Sequence, residues 1–124
     1  MIKANQAFSG FSVDDLIQAR TFYTEVLGVE VEDTSQGLRL KIGIGILVYP
    51  KEDHVAATYT ILNFPVDDID RSVADLKQKG VRFELYPGVT DHMGIARGIA
   101  SGFGPDIAWF TDPAGNILSI LKEG

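Results

Sequence analysis

Residues 8–16 and 61–69 are two copies of one pattern, and no other feature restricts the possible folds of this chain as much. Phe8-Ser-Gly-Phe-Ser-Val-Asp-Asp-Leu16 aligns with Ile61-Leu-Asn-Phe-Pro-Val-Asp-Asp-Ile69 at an offset of 53, placing Phe11 on Phe64, Val13 on Val66 and Asp14-Asp15 on Asp67-Asp68. After each Val-Asp-Asp, apolar residues recur three and four apart: Leu16, Ala19, Tyr23, Val26 and Leu27, then Ile69, Val73 and Leu76. That spacing predicts one amphipathic helix per half. Each aspartate pair stands where carboxylates cap the free N–H groups of a helix start and meet the positive end of its dipole. Gly28 and Gly80 follow the last periodic residues, where a left-handed C-cap favours glycine. β-rich runs come next, at 29–33, 38–42 and 44–49 in the first half and at 81–86, 107–111 and 117–121 in the second. Asp112-Pro113-Ala114-Gly115-Asn116 reads as the hairpin joining the last two. The expectation is an α+β fold made of a duplicated βαβββ unit, with modules at about 4–50 and 57–122 of a single 1–124 domain.

Composition removes several function classes. The 124 residues carry 11 Lys+Arg against 17 Asp+Glu, a net charge of −6, and no basic run, which argues against binding nucleic acid or an anionic membrane surface. There is no cysteine, so disulfides, thiolate metal sites and a cysteine nucleophile are excluded. The longest apolar run, 42–49, is broken by Gly43 and Gly45, and the N-terminus lacks a basic segment before an apolar one; the expectation is a soluble, cytoplasmic chain. Ser9-Gly10-Phe11-Ser12 and Ser101-Gly102 lack the Gly-x-Ser-x-Gly context of a nucleophile elbow. Gly43-Ile44-Gly45 opens no helix, so no nucleotide or flavin is implied.

Val13-Asp14-Asp15-Leu16, Ala19, Phe22-Tyr23 and Val26-Leu27-Gly28, closing with Trp109-Phe110-Thr111-Asp112-Pro113-Ala114-Gly115-Asn116, strongly resemble the vicinal oxygen chelate superfamily. This superfamily includes glyoxalase I, bleomycin-resistance proteins, fosfomycin-resistance enzymes and extradiol dioxygenases. The resemblance implies two βαβββ modules whose curled mixed sheets form a central cleft, commonly completed in a homodimer. It also implies four metal-ligand positions, one on the opening and one on the closing strand of each module. Carried onto this chain they fall on Phe8, Ile61, Val48 and Ser119, with Gln6 as a nearby donor. Phe, Ile and Val have no lone pair to offer and a serine hydroxyl is a poor ligand, so no metal and no cofactor is expected.

Strand parity puts Phe8, Gly10 and Ser12 on one face, as it does Tyr59, Ile61 and Asn63, and Ile117, Ser119 and Leu121. With Tyr49, Lys51, His54 and Trp109, the residues Phe8, Tyr59, Ile61, Asn63 and Ser119 form the candidate ligand-binding set, apolar and aromatic with a few polar handles. Such a set suits a small aromatic or cationic organic molecule. The segment between Tyr86 and Asp106 reads as a long glycine-rich loop carrying Asp91, His92 and Arg97. Those three are the candidates for acid–base catalysis in the alternative reading, a lyase, isomerase or oxygenase with a metal-free or recruited-metal site. A dimeric interaction module is the blandest reading of the same residues.

Overall fold

The aspartate pairs act as the repeat requires, and the second member of each does the capping. The Asp15 carboxylate accepts from the Gln18 N–H at 3.0 Å and the Asp68 carboxylate from the Arg71 N–H at 3.1 Å. The computed structural model describes all residues 1–124. They form β1 (Ser9–Val13), α1 (Leu16–Thr21), β2 (Val31–Asp33), β3 (Leu38–Leu40), β4 (Ile46–Pro50), β5 (Thr60–Pro65), α2 (Ile69–Gln78), β6 (Ile95–Arg97), α3 (Gly98–Ser101), β7 (Asp106–Thr111) and β8 (Ile117–Lys122). No helix is long and apolar enough to cross a membrane.

α1 does not stop at Thr21. It continues as a π-helical turn over Phe22–Val26, and Thr24 supplies the reason. Its hydroxyl donates to the Arg20 carbonyl at 2.7 Å, occupying the acceptor that an ordinary turn offers to the Thr24 N–H. The backbone widens, so the Leu27 N–H reaches the Phe22 carbonyl five residues back at 3.1 Å. Tyr23 is thereby fully buried, with Phe22 edge-on at 5.3 Å and Phe11 at 6.0 Å.

The chain divides into two compact units, Met1–Ala56 and Ala57–Gly124. In the first, strand order is β1-β4-β3-β2, with β1 parallel to β4 and the other pairs antiparallel. The second repeats it as β5-β8-β7-β6, again with one parallel pair. The duplicated βαβββ unit is therefore observed, as an α+β fold with two mixed sheets. In the first unit Val13, Leu38, Leu40 and Val48 bury one sheet face with Ala19 and Tyr23 of the helix. In the second, Ala108, Phe110, Leu118 and Ile120 do the same with Ile69 and Val73. Each fully buried Leu or Phe contributes roughly 1.5–3 kcal/mol, so these helix-facing rows are where most of the stability resides.

One expectation needs correction in the second unit. Residues 81–86 are not a strand; they touch the sheet through a single bridge, Phe83 to Phe110, and through the Glu84 N–H donating to the Trp109 carbonyl at 2.8 Å. The third strand of the module is instead β6, inside the segment expected to be loop, and it pairs with Asp106–Ala108 of β7. One edge of β7 is thus shared between two segments. Pro87, which has no N–H, and Gly88, at φ +80°, turn the chain out of the sheet after Tyr86, and it returns at Ile95. A Cβ on Gly98 would lie 2.3 Å from the Pro105 carbonyl oxygen, so the residue permits a close packing of α3 against the chain entering β7.

Candidate functional site

Each sheet buries one face against its principal helix, α1 or α2, and its other face is free of that helix. The pairing registers assign residues to those faces. In the second unit Asn63, Ser119 and Trp109 are directly opposite one another across β5, β8 and β7, on the face away from Phe110 and Leu118. The Ser119 hydroxyl donates to the Asn63 Oδ1 at 2.5 Å, and Ser119 is fully buried. Trp109 is half-buried, with Tyr86 edge-on at 5.6 Å. The result is an aromatic pair beside a fixed polar pair. Ile61 is half-buried at an irregular point of the β5–β8 register, while Tyr59, just before β5, is exposed.

In the first unit the helix-free face contains Gly10 and Ser12 of β1 with Leu47 and Tyr49 of β4. Here the structure makes a contact that the sequence did not announce. The turn after β4, closed by the His54 N–H donating to the Lys51 carbonyl at 3.1 Å, folds His54 back so that its Nδ1 is 2.6 Å from the Ser12 hydroxyl oxygen. Both residues are half-buried. Where Nδ1 is unprotonated, the hydroxyl donates to it, the arrangement in which an imidazole can take a proton from a hydroxyl or a bound molecule. The sequence grouped Ser12 with Phe8 and Gly10 by strand parity and named His54 as a candidate ligand residue, but gave no sign that the two meet. Phe8 lies exposed just before β1, and Lys51 forms an exposed ion pair with Asp53 at 2.5 Å. That pairing holds the Asp53 carboxyl below its ordinary range.

Asp91, His92 and Arg97 do not converge. The Asp91 carboxylate accepts from the Met93 and Ile95 N–H groups at 2.9 and 3.0 Å and from Arg97 Nε at 3.1 Å. Arg97 also makes a two-pronged contact with Asp70 of α2, at 3.0 and 2.6 Å. Partial burial pushes the Asp91 carboxyl up, but the Ile95 and Met93 N–H groups and Arg97 outweigh it and hold it below the usual value. A carboxylate so stabilised is a weak base; its role here is to shape the turn. Arg97, paired first with Asp70 and then with Asp91, is held more firmly protonated than usual. His92 is exposed on the other side of that turn and shares no bond with either.

The metal positions implied by resemblance also shift. Val48 is fully buried on the helix side, opposite Phe11 and Leu38. The repeat places Gly10 on Asn63, and Gly10 pairs with Leu47 as Asn63 pairs with Ser119, so the closing position of the first module is Leu47. Phe8, Ile61, Leu47 and Ser119 together do not fit a metal ion, since only the serine has a donor and it is engaged by Asn63. No group of three or more His, Cys, Asp or Glu side chains gathers anywhere in the chain.

Residues 7–120 match the family model of the Glyoxalase/Bleomycin resistance protein/Dioxygenase superfamily. No curated protein matches the chain. Among solved structures, it is similar to a glyoxalase family protein from Enterococcus faecalis (23% identity, 94% of each chain covered, TM-score 0.62). It is likewise similar to TnmS3, an antibiotic binding protein from Streptomyces sp. CB03234 (20% identity, 94% of this chain and 93% of that one, TM-score 0.64). The genomically encoded fosfomycin resistance protein FosX from Listeria monocytogenes shares 16% identity over 94% of this chain and 90% of its own, with a TM-score of 0.68. At such identities the structural likeness speaks for the fold, and the family model for ancestry. With its repeated βαβββ units and a match over nearly its whole length, the chain belongs to the Glyoxalase/Bleomycin resistance protein/Dioxygenase superfamily.

Proposed function

We propose that this chain is a cytoplasmic small-molecule-binding member of the superfamily, working as a homodimer and without the metal site of its catalytic relatives. The observation that carries the reading is the helix-free face of the second sheet. There Trp109 and Tyr86 offer aromatic surface, and the Asn63–Ser119 hydrogen bond fills the position where a metal ligand would stand. Aromatic side chains with a few fixed polar groups suit a flat organic molecule, and the net charge of −6 favours a cationic or neutral one. The similarity to an antibiotic binding protein agrees with this class of ligand. Exposed Phe8, Val55, Tyr59 and Phe103 supply apolar surface for a partner copy.

Trp109 is the one tryptophan, so its fluorescence reports on that face directly. Aromatic and cationic antibiotics titrated into protein purified without chelators should quench it saturably, and elemental analysis of the same sample should find no stoichiometric metal. One tightly held ion per chain, with a thermal shift on metal addition, would overturn the metal-free reading.

A second reading rests on the Ser12–His54 hydrogen bond, which supplies a base and a hydroxyl on the first sheet's helix-free face. In that reading the chain is a metal-free acid–base enzyme. His54→Gln should then abolish turnover while leaving the affinity for the bound molecule within about twofold, a split seen when a group acts mainly in the transition state.

A further inference from the structure

The cationic side chains of this acidic protein are mostly paired: Arg20, Arg39, Lys41, Lys51, Arg71 and Arg97 each face a carboxylate. Lys77 and Arg82 face none, and both line one pocket of about 410 Å³ in the second unit, together with His92. No aspartate or glutamate lines it, and its apolar part is Phe83, Leu85 and Met93 along with the backbone turn at Gly80 and Val81. Lys77 by itself suits the negative end of the α2 dipole. Arg82 and His92 are on two other segments, beyond that helix, and the dipole gives no account of them.

Three backbone devices hold the walls in place. The α2 terminus is closed by the Gly80 and Val81 N–H groups donating to Lys77 and Leu76 carbonyls at 3.0 Å each, with Gly80 at φ +92°. Phe83 is bridged to Phe110 and is 6% exposed. The turn bearing His92 and Met93 is pinned by the Asp91 carboxylate on the Met93 and Ile95 N–H groups, and by Gly94, whose added Cβ would meet Phe83 Cβ at 2.9 Å. A site whose walls are fixed before binding loses little entropy on occupation.

We propose that this pocket is a second ligand site, separate from the Trp109 face, and that it takes a small organic anion. The apolar body of the ligand rests on Phe83, Leu85 and Met93, and its anionic group is held by Lys77, Arg82 and His92. The volume suits a one- or two-ring molecule.

The probe is 1-anilinonaphthalene-8-sulfonate, with neutral N-phenyl-1-naphthylamine as its uncharged counterpart, both followed by their own fluorescence on the full-length folded chain. The sulfonate should bind at one site per chain and weaken with added salt, and the neutral analogue should compete with it at least about tenfold more weakly than unlabelled sulfonate. The double change Lys77→Glu with Arg82→Glu should weaken the sulfonate by about tenfold or more, and Lys77→Gln with Arg82→Gln by a smaller factor, while Trp109→Phe leaves it unchanged. Thermal melting checks that each variant is folded, and the glutamine pair keeps the test decisive if charge reversal is not tolerated. Displacement by phenyl phosphate but not benzoate, or the reverse, identifies the anionic group preferred. Equally effective displacement of the sulfonate by the neutral analogue, insensitivity of the sulfonate to both double variants, or loss of its binding on Trp109→Phe would each overturn the proposal.

Discussion

Asp112 shows how one carboxylate can organise a hairpin. It is 3% exposed and accepts from the N–H groups of Ala114 and Asn116 at 3.0 and 2.9 Å and from the Asn116 side-chain amide at 3.0 Å. Asp112→Ala leaves those donors buried without that carboxylate, and since hydrogen bonds to charged groups are worth roughly 1.5–3 kcal/mol each, a loss of about 3 kcal/mol in chemical denaturation is expected. Asp91 makes a pH-dependent counterpart. Its folded pKa is depressed, so its contribution is present above the unfolded value of about 3.9 and disappears as pH falls through the lower folded value. Asp91→Asn should therefore be less stable than the native chain at neutral pH, and the two should converge as the solution is acidified below about pH 4. A constant difference across that range would show that the carboxylate's charge contributes nothing.

Elements that depend on local chemistry behave as their residues suggest. Asp68→Ala should cost about 1 kcal/mol of stability, the usual effect of deleting a capping carboxylate, with the change in denaturation midpoint as the measurement. Both helix starts, both glycine stops and the Asp112 hairpin were legible in the sequence because cap, C-cap and turn each depend on a few neighbouring residues. The shared face of Asn63 and Ser119 was legible too, because strand parity assigns it, whereas Trp109 entered the candidate set through the family resemblance. What was not legible depends on contacts distant in sequence. Residues 81–86 alternate like a strand, and only the competition of β6 for the same edge of β7 leaves them with a single bridge. The Ser12–His54 bond spans 42 positions and rests on how the turn after β4 closes. The π-helical turn was hidden for a different reason: Thr24 is an ordinary surface residue until its hydroxyl competes with its own N–H.

At the scale of the whole molecule, duplication has produced two units with separate cores and an exposed stretch between them. Lys51, Val55 and Tyr59 of that stretch are exposed, and the Lys51 side chain is held only by an exposed ion pair. Limited trypsin digestion should cut first after Lys51, yielding two fragments that divide the chain close to the unit boundary. First cleavage inside the segment from Gly88 to Pro105 would instead show that its many hydrogen bonds do not protect it. The charge is also divided evenly, five basic against eight acidic residues in 1–56 and six against nine in 57–124. The shared edge of β7 has a consequence for solubility. Had residues 81–86 run the full length of β7, the second sheet would end on a six-residue, alternately apolar border able to recruit a strand from another molecule. By dividing that border, the chain ends the sheet on three-residue β6, whose last side chain is clamped by two aspartates and is followed by a helix rather than more strand. A short, charged, abruptly ended border gives a neighbouring molecule little to extend, so this irregularity of the fold guards against aggregation.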